Sequence, residues 1–135
     1  SAISNLFINY TLGIKVGIAR QKYQILYPQL YAWVKHDGES PQEKEGNKFN
    51  QIQRGHQNMI ETMAPFYFFL LITGIIYPTF AAGCGFIHAL GRLVYGLGYE
   101  RMPQARLYGE IIFMPGMFGL IGGALKVGYA LYFGE

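Results

Sequence analysis

The chain has 135 residues, a length that corresponds to one domain. Hydrophobic residues make up 51% of it and charged residues only 14%, whereas soluble domains carry about 25% charged residues, so the composition favours a membrane protein. The net charge of +3 is too small to indicate a nucleic-acid partner, and the single cysteine, Cys84, excludes an intrachain disulfide.

Four apolar segments follow one another along the chain. They predict an all-α, integral membrane four-helix bundle in an up-down-up-down order, formed by the whole chain as a single domain. The predicted helices cover about residues 5–20, 51–77, 80–99 and 107–133. The polar stretch 23–48 predicts a solvated loop, in which His36 is an ordinary exposed residue. Pro78 ends the second helix in a very short turn, which requires an antiparallel third helix.

The second segment carries a stripe of polar side chains. Arg54, Asn58 and Glu61 are spaced by four and three residues, so they share one helix face. Ionisable groups beside a membrane helix are costly and therefore face a protein interior or a wet cavity, which makes them candidates for a functional site. The alternative is that Arg54 and Glu61 are interfacial residues ahead of the true span.

The third segment carries a second stripe with the same periodicity, formed by His88, Arg92, Tyr95 and Tyr99. The two tyrosines could also form an interfacial aromatic belt, and His88 could be a packing residue. If the second and third helices are antiparallel, Arg92 and the tyrosines lie at the membrane level of the first stripe.

The charge distribution predicts on which side of the membrane the two polar stripes lie. Lysines and arginines concentrate after the first and third segments, and the turn after the second has none, so the polar ends of both stripes are expected in the cytosol. Arginine suits carboxylates and a lone glutamate suits an ammonium group, which together favour a small zwitterion such as a peptide. The histidines are dispersed and the one cysteine stands alone, so no metal site is predicted.

A family resemblance rests on these same residues. The segment 49–66, with its Arg54, Asn58 and Glu61, closely resembles the second helix of the MAPEG family, the membrane-associated proteins in eicosanoid and glutathione metabolism. Residues 19–28 and 91–99 resemble further family stretches in the right order. Within the family the chain looks most like the branch of the type three microsomal glutathione S-transferases.

This resemblance implies a homotrimeric bundle that binds glutathione between adjacent subunits on the cytosolic side. The residues it implies for glutathione binding, with the first contributed by the neighbouring subunit, are Arg20, Arg54, His56, Asn58, Glu61, Arg92, Tyr95 and Tyr99. Arg106 occupies the position of the arginine that activates the thiol. Glutathione would be the co-substrate, and a lipophilic electrophile or a lipid hydroperoxide would arrive from the membrane lipid.

Location and activity follow from the resemblance as expectations. The family implies the endoplasmic reticulum, with a mitochondrial membrane as the alternative.

The sequence departs from the family pattern at Asn50-Gln51, where many members carry an acid–arginine pair. Two other functions stay open: a catalytically idle scaffold or accessory subunit of a larger membrane complex, and a lipid-binding module.

Overall fold

The computed structural model describes residues 2–34 and 40–134. Four long helices make up most of this part of the chain: α1 (Ala2–Lys22), α2 (Pro41–Ile76), α3 (Pro78–Arg101) and α4 (Arg106–Phe133). Each of the four is long and apolar enough to cross a membrane. The predicted all-α four-helix architecture is therefore confirmed, while His36 lies outside the described residues.

Helix α2 begins ten residues earlier than the sequence pattern suggested, so the prediction of a solvated loop across 41–48 was wrong. A capping box starts the helix: the Glu43 backbone N–H donates to Ser40 Oγ at 3.3 Å, and the Ser40 N–H donates to Glu43 Oε2 at 3.2 Å. Pro41 occupies the first helical turn, where a missing N–H costs nothing.

The short turn between α2 and α3 makes these helices antiparallel, as predicted. Tyr77 alone separates them. Near this turn Phe66 stacks on His88 at 4.1 Å, and further from it Asn58 accepts a hydrogen bond from Arg92. Residue numbers thus fall along one helix as they rise along the other.

Helices α3 and α4 approach each other more closely than side chains normally permit. A Cβ atom on Gly91 would lie 2.3 Å from the backbone nitrogen of Phe113, and one on Gly109 would lie 2.3 Å from that of Tyr95. Only glycine fits at either position. The close contact brings the Tyr95 and Phe113 rings together, with their centroids 6.1 Å apart.

The segment between α1 and α2 is tied to the bundle by two side chains. Arg20 donates to the carbonyl oxygens of Ile25 and Gln29, at 3.3 and 2.7 Å. Asn50 pairs with the Ala32 backbone in both directions, accepting at 2.7 Å and donating at 3.0 Å. Asn50, where the sequence departs from the family pattern, therefore holds the chain against the start of α2.

The outer faces of the helices are apolar. On α1 the side chains that are 61–82% exposed include Ile3, Phe7, Tyr10, Ile14 and Ile18. A continuous exposed apolar face is unfavourable in water and favourable in lipid. Inside, Cys84 is buried with Phe66, Leu70 and Leu120 and acts as a small packing residue.

Candidate functional site

The polar stripe of α2 is an exposed ion pair with an amide between its two members. Arg54 Nη1 donates to Glu61 Oε1 at 2.9 Å, and the two side chains are 43% and 44% exposed. Asn58 lies between them on the same helix face. We call these three residues the α2 stripe; the charged ends of Arg54 and Glu61 are open to a ligand.

Arg92 lies one layer beneath the α2 stripe and is only 2% exposed. Its guanidinium donates to Asn58 Oδ1 at 2.7 Å and to Thr62 Oγ1. The Thr62 hydroxyl in turn lies within hydrogen-bonding distance of the Asn58 and Met59 carbonyl oxygens, at 3.0 and 3.1 Å. Arg92 therefore fixes the orientation of the Asn58 amide from below.

Aromatic rings surround Arg92 and continue towards α4. Its Cζ atom lies 4.0 Å from the Phe113 ring centroid and 5.6 Å from that of Tyr95. The Tyr95 and Tyr99 rings are 5.8 Å apart, and Arg106 Cζ lies 5.5 Å from the Tyr99 ring. Arg92, Tyr95 and Tyr99 form what we call the α3 row, which leads from the buried guanidinium to the first residue of α4.

Gly55 of α2 lies where the α2 stripe and the α3 row meet. A Cβ atom on Gly55 would lie 3.6 Å from the Gly96 carbonyl oxygen and 3.8 Å from Tyr99 Cβ. This contact places Tyr99 beside the turn that carries Arg54. The two stripes therefore lie at one level, as their spacing and the antiparallel order predicted.

The four-helix architecture agrees with the comparison to known families. A model described as the MAPEG family matches residues 1–126. The chain belongs to the MAPEG family. The resemblance identified from the sequence is thus confirmed at the family level, while the type three branch stays a prediction. Four helices able to span a membrane, together with this membership, identify an integral membrane protein.

The MAPEG family uses glutathione, and it includes transferases and peroxidases as well as members without catalytic activity. Among residues 2–34 and 40–134, no three His, Cys, Asp or Glu side chains lie close enough to hold a metal ion. The site described above presents arginine, amide, carboxylate, hydroxyl and phenol groups.

Two of the residues implied by the MAPEG resemblance lie away from the α2 stripe within this subunit. Arg20 is 8% exposed and packs over Phe49, with Cζ 5.1 Å from the ring centroid, while it holds the α1–α2 segment. His56 faces α1, where a Cβ atom on Gly13 would lie 3.3 Å from its Nε2. Their roles in glutathione binding stay predictions, that of Arg20 for a neighbouring subunit.

His88 shares the periodicity of the α3 row but belongs to the packing of the bundle. Its Nδ1 pairs with Asn5 Oδ1 at 3.1 Å, and its ring stacks on Phe66. The sequence interpretation allowed this packing role. Thr62 and Phe113, in contrast, were not identified as parts of the site. Thr62 follows Asn58 by four residues, so helical spacing alone placed it on that face, whereas the position of Phe113 depends on the α3–α4 contact.

Proposed function

We propose that the protein is a membrane-bound glutathione transferase or glutathione-dependent peroxidase, and that glutathione binds along the α2 stripe. The observation that carries the proposal is the exposed Arg54–Glu61 pair beside an Asn58 amide held in place by a buried arginine. Membership of a family that uses glutathione supports it.

The α2 stripe matches the charges of glutathione. Glutathione is a tripeptide with carboxylates and an ammonium group; the planar guanidinium of Arg54 suits a carboxylate, and Glu61 suits the ammonium. An exposed ion pair contributes only about 0–1 kcal/mol, so exchanging it for the two charges of a ligand costs little. The pair is thus an internal substitute for a zwitterion.

Asn58 supplies a donor between the two charges. Because Arg92 donates to Oδ1, the Nδ2 group is the end of the amide that remains for an acceptor on the ligand. The family resemblance implied that Arg92 binds glutathione; we propose instead that it acts through Asn58, which it positions, because its guanidinium is buried beneath that amide. The phenol groups of Tyr95 and Tyr99 extend the site towards Arg106.

Arg106 is the residue we propose for thiol activation. It lies in the first turn of α4, half-buried beside Tyr99, where the helix dipole also favours an anion. A thiol ionises near pH 8.5, and a neighbouring cation stabilises the thiolate. Arginine keeps its proton, so water accepts the proton of the thiol. The thiolate then forms a C–S bond with a lipophilic electrophile, whose leaving group departs.

The assembly and location belong to the same proposal. In a homotrimer, Arg20 would reach the glutathione of the adjacent subunit once it releases the carbonyl oxygens of Ile25 and Gln29. The cationic ends of the helices support a cytosolic site. By family resemblance the membrane is that of the endoplasmic reticulum. The type three branch is the part of the family to which we assign the chain.

Glutathione binding to the detergent-purified protein tests the proposal. We expect the melting temperature to rise with glutathione concentration in the wild type and to stay constant in Arg54→Ala. Lys126→Ala is the control, because this exposed lysine lies at the opposite end of the bundle, 5.0 Å from the Tyr77 ring, and its response should match the wild type. No shift at millimolar glutathione in folded protein would contradict the proposal and favour a scaffold subunit.

A further inference from the structure

A second polar cavity opens on the other side of α2. It has a volume of about 350 Å³, and three of its lining side chains are cations from three different helices: Lys15 of α1, Lys48 of α2 and Arg101 of α3. Glu100 is the one acidic lining residue. With three positive charges against one negative charge, the cavity favours an anion.

The cavity is distinct from the site proposed for glutathione. Residues of an α-helix turn by about 100° each, so Lys48 and Ile52, which line the cavity, lie on a different face of α2 from Arg54 and Glu61. The stripe faces the α3 row, whereas the cavity lies between α2, the end of α3 and α1. Binding in one does not require the residues of the other.

One ion pair holds the cavity in shape. Lys15 Nζ donates to Glu100 Oε2 and joins α1 to the end of α3. The side chains of both residues are about one-third exposed, so the pair stands in the wall of the cavity. Lys48 and Arg101 are exposed at its rim, and no ion pair is found for either within residues 2–34 and 40–134. They are the charges available to an incoming anion.

The surroundings of the cavity point to lipid. Tyr23, Ile52 and Leu97 complete its lining, and an adjoining cavity of about 210 Å³ shares Tyr23 and Ile52 and adds Ile18 and Lys22. Ile18 is 61% exposed and Leu97 is 42% exposed, on the apolar outer face of the bundle. A lipid whose headgroup is held by the cations would thus have an apolar surface for its acyl chains directly beside the cavity.

We propose that this basic cavity binds the phosphate group of an anionic glycerophospholipid, with its acyl chains on the outer faces of α1 and α3. Basic pockets between membrane helices bind lipid headgroups by this combination of charge and apolar surface. Arg101 offers a planar fork to the phosphate oxygens, and Lys48 offers a point charge. Glu100 pairs with Lys15 and keeps that lysine in the wall of the cavity.

Melting temperatures in lipid nanodiscs test this site. We compare discs of phosphatidylcholine alone with discs that contain equal parts of phosphatidylcholine and phosphatidic acid. Phosphatidic acid should raise the melting temperature of the wild type by about 5 °C. The rise should fall by half or more in Lys48→Gln and in Arg101→Gln, which replace exposed residues and leave the Lys15–Glu100 pair intact. Lys126→Gln, at the opposite end, should keep the full rise.

Three results would overturn the proposal. The first is an equal melting temperature in the two kinds of disc. The second is an equal loss of the rise in Lys126→Gln, which would indicate a general effect of protein charge. The third uses glycerol 3-phosphate, the headgroup without acyl chains, added to discs of phosphatidylcholine: if it produces the same rise, the ligand is a soluble phosphate and not a lipid.

Discussion

Arg54 and Arg92 lie at the same level of the bundle, yet their surroundings differ in almost every respect. Arg54 is exposed and paired with one carboxylate on its own helix. Arg92 is buried, hydrogen-bonded to Asn58 and Thr62 and covered by the Phe113 ring. The difference shows that one polar level can contain two kinds of arginine, one available to a ligand and one that supports the structure.

The physical basis of the difference is the cost of burying a charge. A guanidinium inside a membrane bundle persists only where hydrogen bonds and ring faces replace water. Arg92 has both, although its Nε finds no hydrogen-bond partner among the described residues. Removing Arg92 leaves Asn58 and Thr62 without their donor, whereas removing Arg54 leaves only an exposed Glu61 that water can solvate.

Gly109→Ala is the change with the largest expected effect, because it forces apart the helices that enclose the α3 row. The new Cβ atom would lie 2.3 Å from the backbone nitrogen of Tyr95, which no side-chain rotation can relieve. We expect a loss of more than about 3 kcal/mol of stability, measured by thermal or denaturant unfolding in detergent. Gly122→Ala is the matched control, with no atom within 4 Å of its added Cβ, and it should be neutral or slightly stabilising. Similar losses in both variants would contradict the close α3–α4 packing.

Arg92→Leu and Arg54→Leu compare directly how much the buried and the exposed arginine contribute to stability. Arg92→Leu should lower the free energy of unfolding by about 2–4 kcal/mol, because the half-buried Asn58 and Thr62 side chains lose the donor that the buried guanidinium supplies. Arg54→Leu should lower it by less than about 1 kcal/mol, since exposed ion pairs contribute little.

A second substitution separates the loss of hydrogen bonds from the loss of packing. Combining Arg92→Leu with Asn58→Leu removes both partners of the buried contact, and part of the lost stability should return. Equal stability of the single variants Arg92→Leu and Arg54→Leu would show that Arg92 does not support the bundle more than Arg54 does.

Arg106 is a third arginine, at the edge of the site. We expect Arg106→Ala to change turnover and to have little effect on stability. Loss of the cation near the thiolate should reduce kcat by about 10- to 100-fold while the affinity for glutathione changes little. The rate of conjugation to a chromogenic electrophile measures kcat, and the glutathione-dependent melting shift reports affinity. Arg106→Lys should restore part of the turnover. Wild-type turnover in the alanine variant would remove Arg106 from the proposed mechanism.

Helical spacing and helix direction were sufficient to predict that the α2 stripe and the α3 row lie at the same depth in the bundle. Arg54, Asn58 and Glu61 share a face of any helix that contains them, and the one-residue turn at Tyr77 fixes the direction of the next helix. The start of α2 was also encoded locally, because Ser40 and the residue three positions later match a capping box. The prediction of a loop over residues 41–48 did not use that signal.

The depth of Arg92 could not be predicted in the same way. Helical periodicity assigns Arg92 and Tyr99 to one stripe, but the structure buries the first and leaves the second half-buried. Their burial depends on how closely α4 approaches α3, which is decided by Gly91 and Gly109 together. Tertiary contacts of this kind separate a buried supporting residue from one that remains accessible.

Exchanging the two charges of the Arg54–Glu61 pair tests most directly whether the α2 stripe binds glutathione. The double variant Arg54→Glu with Glu61→Arg keeps an ion pair on the same face of α2 but reverses the order of the charges. We expect a melting temperature close to that of the wild type without ligand, and no rise with millimolar glutathione. A glutathione-dependent rise equal to that of the wild type would show that the α2 stripe does not bind the tripeptide.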